Sequence, residues 1–206
     1  MWYDSSHISI LDPQIWYDLV SDQYHDFHDH LDSFEKWTFT RFLPRDEKNL
    51  SIIDLWAGDW RLYKYLNKLN PEKYVACDIS SKLLSRHPWK NVEKIVCDLE
   101  TPLPFENDSF DLATSFFVLE HIADLENFFS EVYRILRPWW RLIIWHFLQR
   151  REFIRKKWKE KFKIRLFNHR VGDLKSISVA NFFRTNAFPV HESKDLIGYI
   201  LVCEKF

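Results

Sequence analysis

The amino-acid sequence predicts an α/β fold: a mostly parallel sheet covered by helices on both faces. Three observations carry that prediction. Short apolar runs, among them Ile52-Ile53, Tyr74-Val75-Ala76-Cys77 and Leu142-Ile143-Ile144, alternate with segments of helical length. Near-continuous apolar strands of this kind are buried on both sides, as in a parallel sheet. Three of the strand-like runs end in an acid, at Asp54, Asp78 and Asp98. Finally, Ser51 to Leu55 leads through a short loop into a helix-like run, Arg61 to Leu69. Such a unit offers the N-terminus of a helix to a nucleotide-like ligand.

The 206 residues suffice for one domain with a substantial core. A net charge of −1 provides no global field to gather nucleic acid. No stretch has the length of a transmembrane helix, and Met1-Trp2-Tyr3-Asp4 lacks the basic and apolar regions of a signal peptide. The expectation is a cytoplasmic protein. Cys77, Cys97 and Cys203 are far apart and lie in apolar runs, which reads as buried free thiols. Average usage of about 7% would give roughly 14 glycines. The chain has 3, beside 10 Trp. Tight turns rely on glycine's freedom at positive φ, so the shortage bears directly on the loops.

Residues 1–48 read as an acidic, helical cap. Leu19, Val20, Tyr24, Phe27, Leu31 and Phe34 recur at spacings that predict an amphipathic helix from Tyr17 to Phe34, and Phe39 to Leu43 finishes a second one. His25, His28 and His30 stand close to Asp26 and Asp29, but their spacing does not bring all the imidazoles to one face. A solvated helix face is favoured there over a metal site.

Residues 49–146 form the core. Strands are predicted at Leu50–Leu55, Tyr74–Asp78, Val92–Cys97, Phe110–Phe116 and Arg141–His146. Ser80 is a candidate N-cap for a helix over 81–86. Leu125, Phe128, Phe129, Val132 and Leu136 line one stripe of a helix from Asp124 to Leu136, and Arg137-Pro138-Trp139-Trp140 turns the chain into the next strand. Residues 147–170 hold a basic insertion. Between Gln149 and Arg165 nine Lys or Arg stand against Glu152 and Glu160. A solvated helical insertion is favoured there over an RNA-binding or anionic-substrate patch. Residues 171–206 read as a helix, Gly172 to Phe188, and a strand pair, Val190–Glu192 with Ile197–Glu204.

Ile52-Ile53-Asp54-Leu55-Trp56-Ala57-Gly58-Asp59-Trp60 resembles the first motif of the class I S-adenosylmethionine-dependent methyltransferases, of the methyltransferase type 11 kind. That motif reads apolar-apolar-Asp-apolar-Gly-x-Gly-x-Gly. Trp56 and Trp60 stand where its first and third glycines belong. The likeness continues through Asp78-Ile79, Asp98-Leu99, the segment Leu103 to Leu112, Phe116 to His121, and Arg134 to Leu142. In the last of these, Trp139 and Trp140 occupy the family's Gly-Gly pair. The resemblance covers about residues 50–146 motif by motif and the tail in outline only.

The resemblance implies a Rossmann-like, doubly wound sheet of seven strands in the order 3-2-1-4-5-7-6, with strand 7 antiparallel. It implies S-adenosyl-L-methionine as cofactor. Asp54, Trp56, Ala57 and Gly58 would belong to its loop, and Ser115 would face the methionine. Asp78 would hold the ribose hydroxyls, Ile79 would pack on adenine, and Asp98 with Leu99 would meet the adenine amino group and ring. The N-terminal helix would cover the pocket.

Methyl transfer of this kind is mostly positioning, because the sulfonium is already activated. His121 is the best-placed candidate for a base where an acceptor needs one, and equally reads as a structural histidine. The acceptor is expected to be a small molecule, with a quinone-like lipid, a tRNA base and a protein side chain left open.

Two accounts of the Trp residues remain. Either positions 56, 60, 139 and 140 are glycines miscoded as Trp, because some genetic codes read UGA as Trp and others as Gly, or the chain is a non-catalytic, methyltransferase-like binding or scaffold protein.

Overall fold

The computed structural model describes residues 8–24, 38–58, 60–148, 154–157 and 160–206, the side chains of 154–157 and 160–161 excepted. The chain opens with β1 (Ser9–Leu11) and α1 (Pro13–Val20). Then follow β2 (Ser51–Leu55), α2 (Tyr63–Leu66), β3 (Lys73–Asp78), α3 (Ser81–Ser85) and β4 (Glu93–Val96). Next come β5 (Phe110–Phe116), α4 (Leu125–Ile135) and β6 (Leu136–Phe147). The last elements are β7 (Ile154–Lys157), β8 (Glu160–Ile164), α5 (Val171–Ala180), β9 (Phe183–Glu192) and β10 (Asp195–Lys205).

Seven strands form one sheet in the spatial order β4-β3-β2-β5-β6-β10-β9. β2 to β6 pair in parallel, and β10 runs antiparallel to both β6 and β9. Every residue of β2 and β5 is buried, which is why those strands are rich in apolar residues, with Ser51, Asp54, Asp111, Thr114 and Ser115 as their buried polar exceptions. Alternate residues feed two cores. Ile53, Val75, Leu142 and Ile144 face one side with the stripe of α4, while Ile52, Tyr74, Leu112 and Ile143 face the other with Leu62, Tyr63 and Leu66. Leu125, Phe128, Phe129, Val132 and Ile135 of α4 are all buried. Full burial of each such side chain contributes roughly 1.5–3 kcal/mol.

Local chemistry sets the helix starts. The side chains of Asp12, Ser80 and Asp124 accept the backbone N–H groups of Gln14, Leu83 and Asn127 at 3.1, 3.1 and 3.0 Å. Each satisfies a first-turn donor that has no partner within its helix. Ion pairs with one buried partner each tie the sheet to its surroundings. Arg137 donates twice to Asp111, whose carboxylate also accepts the Ser51 N–H. Lys205 donates to Asp108 and to the carbonyls of Tyr133 and Leu136.

Several expectations are corrected. The first helix starts at Pro13, earlier than the apolar spacing from Tyr17 indicates, because Asp12 and Pro13 together make its N-terminus, and it ends at Val20; the part of the expected helix over 25–34 lies outside the described residues. The His25, His28 and His30 cluster lies outside the described residues. Of the Phe39–Leu43 segment expected to finish a second helix, Thr40–Phe42 forms one 3-10 turn. The helix after β2 is confined to Tyr63–Leu66, with a 3-10 turn to Leu69 and a left-handed Asn70 closing it.

The basic insertion is not helical where it is described. β7 and β8 form a hairpin, and β8 pairs in parallel with β1 to make a separate three-stranded sheet. The tail helix stops at Ala180 and β9 begins at Phe183, since pairing with β10 claims residues that read as helical alone. The turn expected at 137–140 is an irregularity inside β6. Phe110 pairs with Leu136 and Leu112 with Arg141, so the residues between bulge out of the ladder. Trp139 sits there with φ +71° and is 73% exposed.

Cys77 and Cys97 are not free thiols. They are joined as a disulfide at the ends of β3 and β4, with Cα atoms 6.0 Å apart. Cys203 is free and buried, and burial pushes its thiol up to about 12.

Candidate functional site

The carboxyl ends of β2, β3 and β5 and the loop after β4 meet at one edge of the sheet, where ligands of open α/β sheets bind. The loop after β2 folds back over β3: the N–H groups of Trp56 and Ala57 both donate to the Cys77 carbonyl, at 2.7 and 2.9 Å. Gly58 follows with φ +57°, and its N–H donates to Asp78 Oδ2 at 2.8 Å. The other oxygen of Asp78 accepts the Ser80 N–H at 2.8 Å. Asp78 therefore pins the loop after β2 to the start of α3. It is 1% exposed, and burial pushes its carboxyl up to about 7 against the pull of those two N–H groups.

Asp54 lies one layer deeper. Thr114 of β5 and Tyr74 of β3 donate their hydroxyls to its two oxygens at 2.7 and 3.0 Å, so it bridges three strands. Burial raises its carboxyl to about 6, with both hydroxyls opposing. Asp98 is half-buried, and its Oδ1 accepts the Glu100 N–H at 2.9 Å, which shapes the loop after β4. Ser115 is fully buried, and its hydroxyl has no hydrogen-bond partner among the described residues.

A cavity of about 50 Å³ opens at this edge, lined by Asp12, Trp56, Ile79, Asp98, Leu99 and His121 among others. Five expected cofactor contacts, Asp54, Ala57, Gly58, Asp78 and Ser115, do not line it. The cause is Trp56. Its indole is 9% exposed and stacks on His121, ring centroids 5.4 Å apart and planes 11° from parallel. Tyr17 of α1 meets both rings edge-on, at 5.6 Å from Trp56 and 5.5 Å from His121. The Tyr17 hydroxyl lies 2.9 Å from His121 Nε2. Burial lowers the His121 imidazole to about 4, which keeps it neutral at pH 7 and makes it a weak base.

Several neighbours escape a reading of motifs. Asp18 accepts the Ser80 hydroxyl at 2.5 Å, so α1 is latched onto the start of α3. Tyr24 covers the loop, with its ring where a Cβ on Gly58 would come within 3.3 Å. Arg165 and Phe167 close the cavity from the tail, and the Phe167 N–H donates to the Glu120 carbonyl at 2.6 Å. Glu120 itself, beside His121, has a buried Oε2 without a partner, and burial raises its carboxyl to about 7. The apolar spacing that includes Leu19 and Val20 is the only sequence signal for the α1 contacts. Nothing local marks Glu120 or Phe167.

The space does not fit a nucleoside joined to an amino acid. Pockets for ligands of that size run to about 300–1,000 Å³, whereas 50 Å³ holds a few waters at most. Ile79, Asp98 and Leu99 line the space, and the Asp78 carboxylate, which does not reach it, retains unused lone pairs. The Trp56 indole forms part of its wall.

Residues 53–144 match the family model described as a methyltransferase domain. A demethylmenaquinone methyltransferase of Streptomyces avermitilis is 35% identical over 77 residues, covering 35% of this chain and 32% of that protein. A ubiquinone/menaquinone biosynthesis C-methyltransferase of Hahella chejuensis is 31% identical over 107 residues, covering 47% of this chain and 43% of that protein. The matched segments thus span less than half of these relatives' length. Among solved structures, a DhpI complex with SAH superposes with a TM-score of 0.75 at 17% identity, covering 94% of this chain and 95% of that one. At that identity the likeness concerns the fold. No helix among the described residues is long and apolar enough to cross a membrane. Residues 53–144 thus resemble the methyltransferase domain, and the chain shares the fold of S-adenosylmethionine-dependent methyltransferases, whose cofactor is S-adenosyl-L-methionine.

Proposed function

We propose that the protein transfers a methyl group from S-adenosylmethionine to a small-molecule acceptor of the quinone type. The observation that carries this reading is the pinned carboxylate of Asp78, beside Ile79, Asp98 and Leu99 at the carboxyl edge of the sheet. The acceptor class rests on the names of the relatives, which act on demethylmenaquinone or serve ubiquinone and menaquinone synthesis. Asp54, Ala57 and Gly58 would shape the loop, Asp78 would hold the ribose, and Ser115 would meet the methionine end. The buried Trp56 ring stands where the cofactor would lie.

That ring also favours a second reading, a methyltransferase-like binding protein without catalysis. Calorimetric titration with S-adenosylmethionine, followed by a methylation assay with a demethylated quinol and with tRNA as acceptors, separates the possibilities. Methylation of the quinol supports the proposal. Methylation of tRNA alone overturns the acceptor class. Absence of cofactor binding by a protein with glycine at position 56 overturns the function.

A further inference from the structure

We infer that the native residue at positions 56, 60 and 139 is glycine, encoded by a codon read elsewhere as Trp. The backbone is the first ground. Trp56, Trp60 and Trp139 have φ of +73°, +96° and +71°. Setting aside Trp2, Trp37 and Trp158, which lie outside the described residues, seven of the ten tryptophans remain, and these are three of them. Only a few per cent of non-glycine residues adopt such φ values, and those are mostly Asn and Asp. Phe117 and Phe182 share the region, but with Phe27, Phe34 and Phe153 outside the described residues they are two of 15, a far smaller fraction. The +96° of Trp60 lies beyond the small left-handed basin open to L-residues, in territory that glycine enters freely.

The side chains are the second ground. Trp139 projects to solvent, 73% exposed, against only the edge of Phe206. Trp56 is buried in the wall of the cavity at the ligand-binding edge, beside Ile79 and Leu99. The pinned Asp78 and the orphan hydroxyl of Ser115 stand at the same sheet edge but do not reach that cavity. Composition is the third ground, with 3 Gly against 10 Trp. UGA specifies Trp in some codes and Gly in others, so one wrong table places Trp at a subset of glycines and nowhere else.

The structure also limits the inference. Trp140 has no left-handed φ, so the backbone argument does not extend to it. Trp16 and Trp145 are 4% and 1% exposed, within α1 and β6, and are genuine tryptophans of the core.

The cavity argument rests on the proposed cofactor; the backbone argument does not. Peptide mass spectrometry of the natively expressed protein reads the residues directly. Gly at 56, 60 and 139 with Trp at 16 and 145 is the expected result, matching UGA and UGG codons respectively. Trp at 56, 60 or 139 overturns the inference, whatever the protein binds. In parallel, a W56G/W60G/W139G protein should bind S-adenosylmethionine at least 100-fold more tightly than the Trp form. If the native peptides carry glycine and the triple variant still fails to bind, the inference stands and the methyltransferase reading falls.

Discussion

Replacing Asp78 with Asn isolates what the site carboxylate costs and contributes. In the folded protein its carboxyl titrates at about 7, against an ordinary value of 3.8, because it is buried. Folded chains therefore hold this proton over a range in which unfolded chains have lost it. Stability is fully present below about pH 4 and falls as pH rises toward 7, by on the order of 4 kcal/mol for a shift of this size. Asp78→Asn removes that titration. It also turns an amide NH₂ toward the N–H of either Gly58 or Ser80, losing one hydrogen bond at a cost of about 1–3 kcal/mol.

The variant should thus be less stable than the parent near pH 4.5 and more stable above pH 8, with curves that cross. Glu120, also raised, and His87, His121 and His146, lowered, titrate alike in both proteins and cancel in the difference, whereas Asp54, which repels the Asp78 charge, ionises more readily in the variant. Urea unfolding at half-unit pH steps from 4.5 to 8.5 measures it. Parallel curves would mean that Asp78 ionises as an ordinary exposed carboxylate, and the pinned, buried site described here would be wrong.

Three further outcomes are expected. Trp139→Gly should stabilise the protein by up to about 1 kcal/mol, since relief of a left-handed L-residue exceeds the loss of one exposed edge contact with Phe206; a lower thermal midpoint would contradict it. Lys205→Met should cost about 3 kcal/mol in urea unfolding, because the Tyr133 and Leu136 carbonyls lose a buried charged donor and Asp108 its ion-pair partner; a change under 1 kcal/mol would show that water replaces the ammonium. Thr114→Val should raise the Asp54 carboxyl further above about 6 by removing a hydroxyl that favours its ionised form. NMR titration of the Asp54 carboxyl carbon would detect that shift, and a fall would refute the assignment.

Much of the fold was legible in the sequence because it is written in short-range patterns. β5 reads as Phe110–Phe116 from its run of Phe, Leu and Ala, although Asp111, Thr114 and Ser115 are buried within it. The stripe of α4 and the caps at Ser80 and Asp124 are equally local, needing only a few neighbouring residues to define them. The acids at the strand ends marked the ligand edge, because parallel strands bring their carboxyl ends together.

Only the tertiary structure decided the rest, for reasons of distance along the chain. The basic stretch pairs as β7 and β8 because β1, some 150 residues earlier, supplies an edge for it, and no local periodicity records that partner. The 183–188 segment becomes strand because β10 satisfies its backbone, which outweighs a helical spacing. Cys77 and Cys97 meet because adjacent parallel strands end level with each other, although 20 residues separate them. The sequence could show that Trp56 stands at a glycine slot. That its ring lies on His121 and walls the cavity depends on the backbone angle at position 56 and on Tyr17 arriving from α1, and both exist only once the chain is folded.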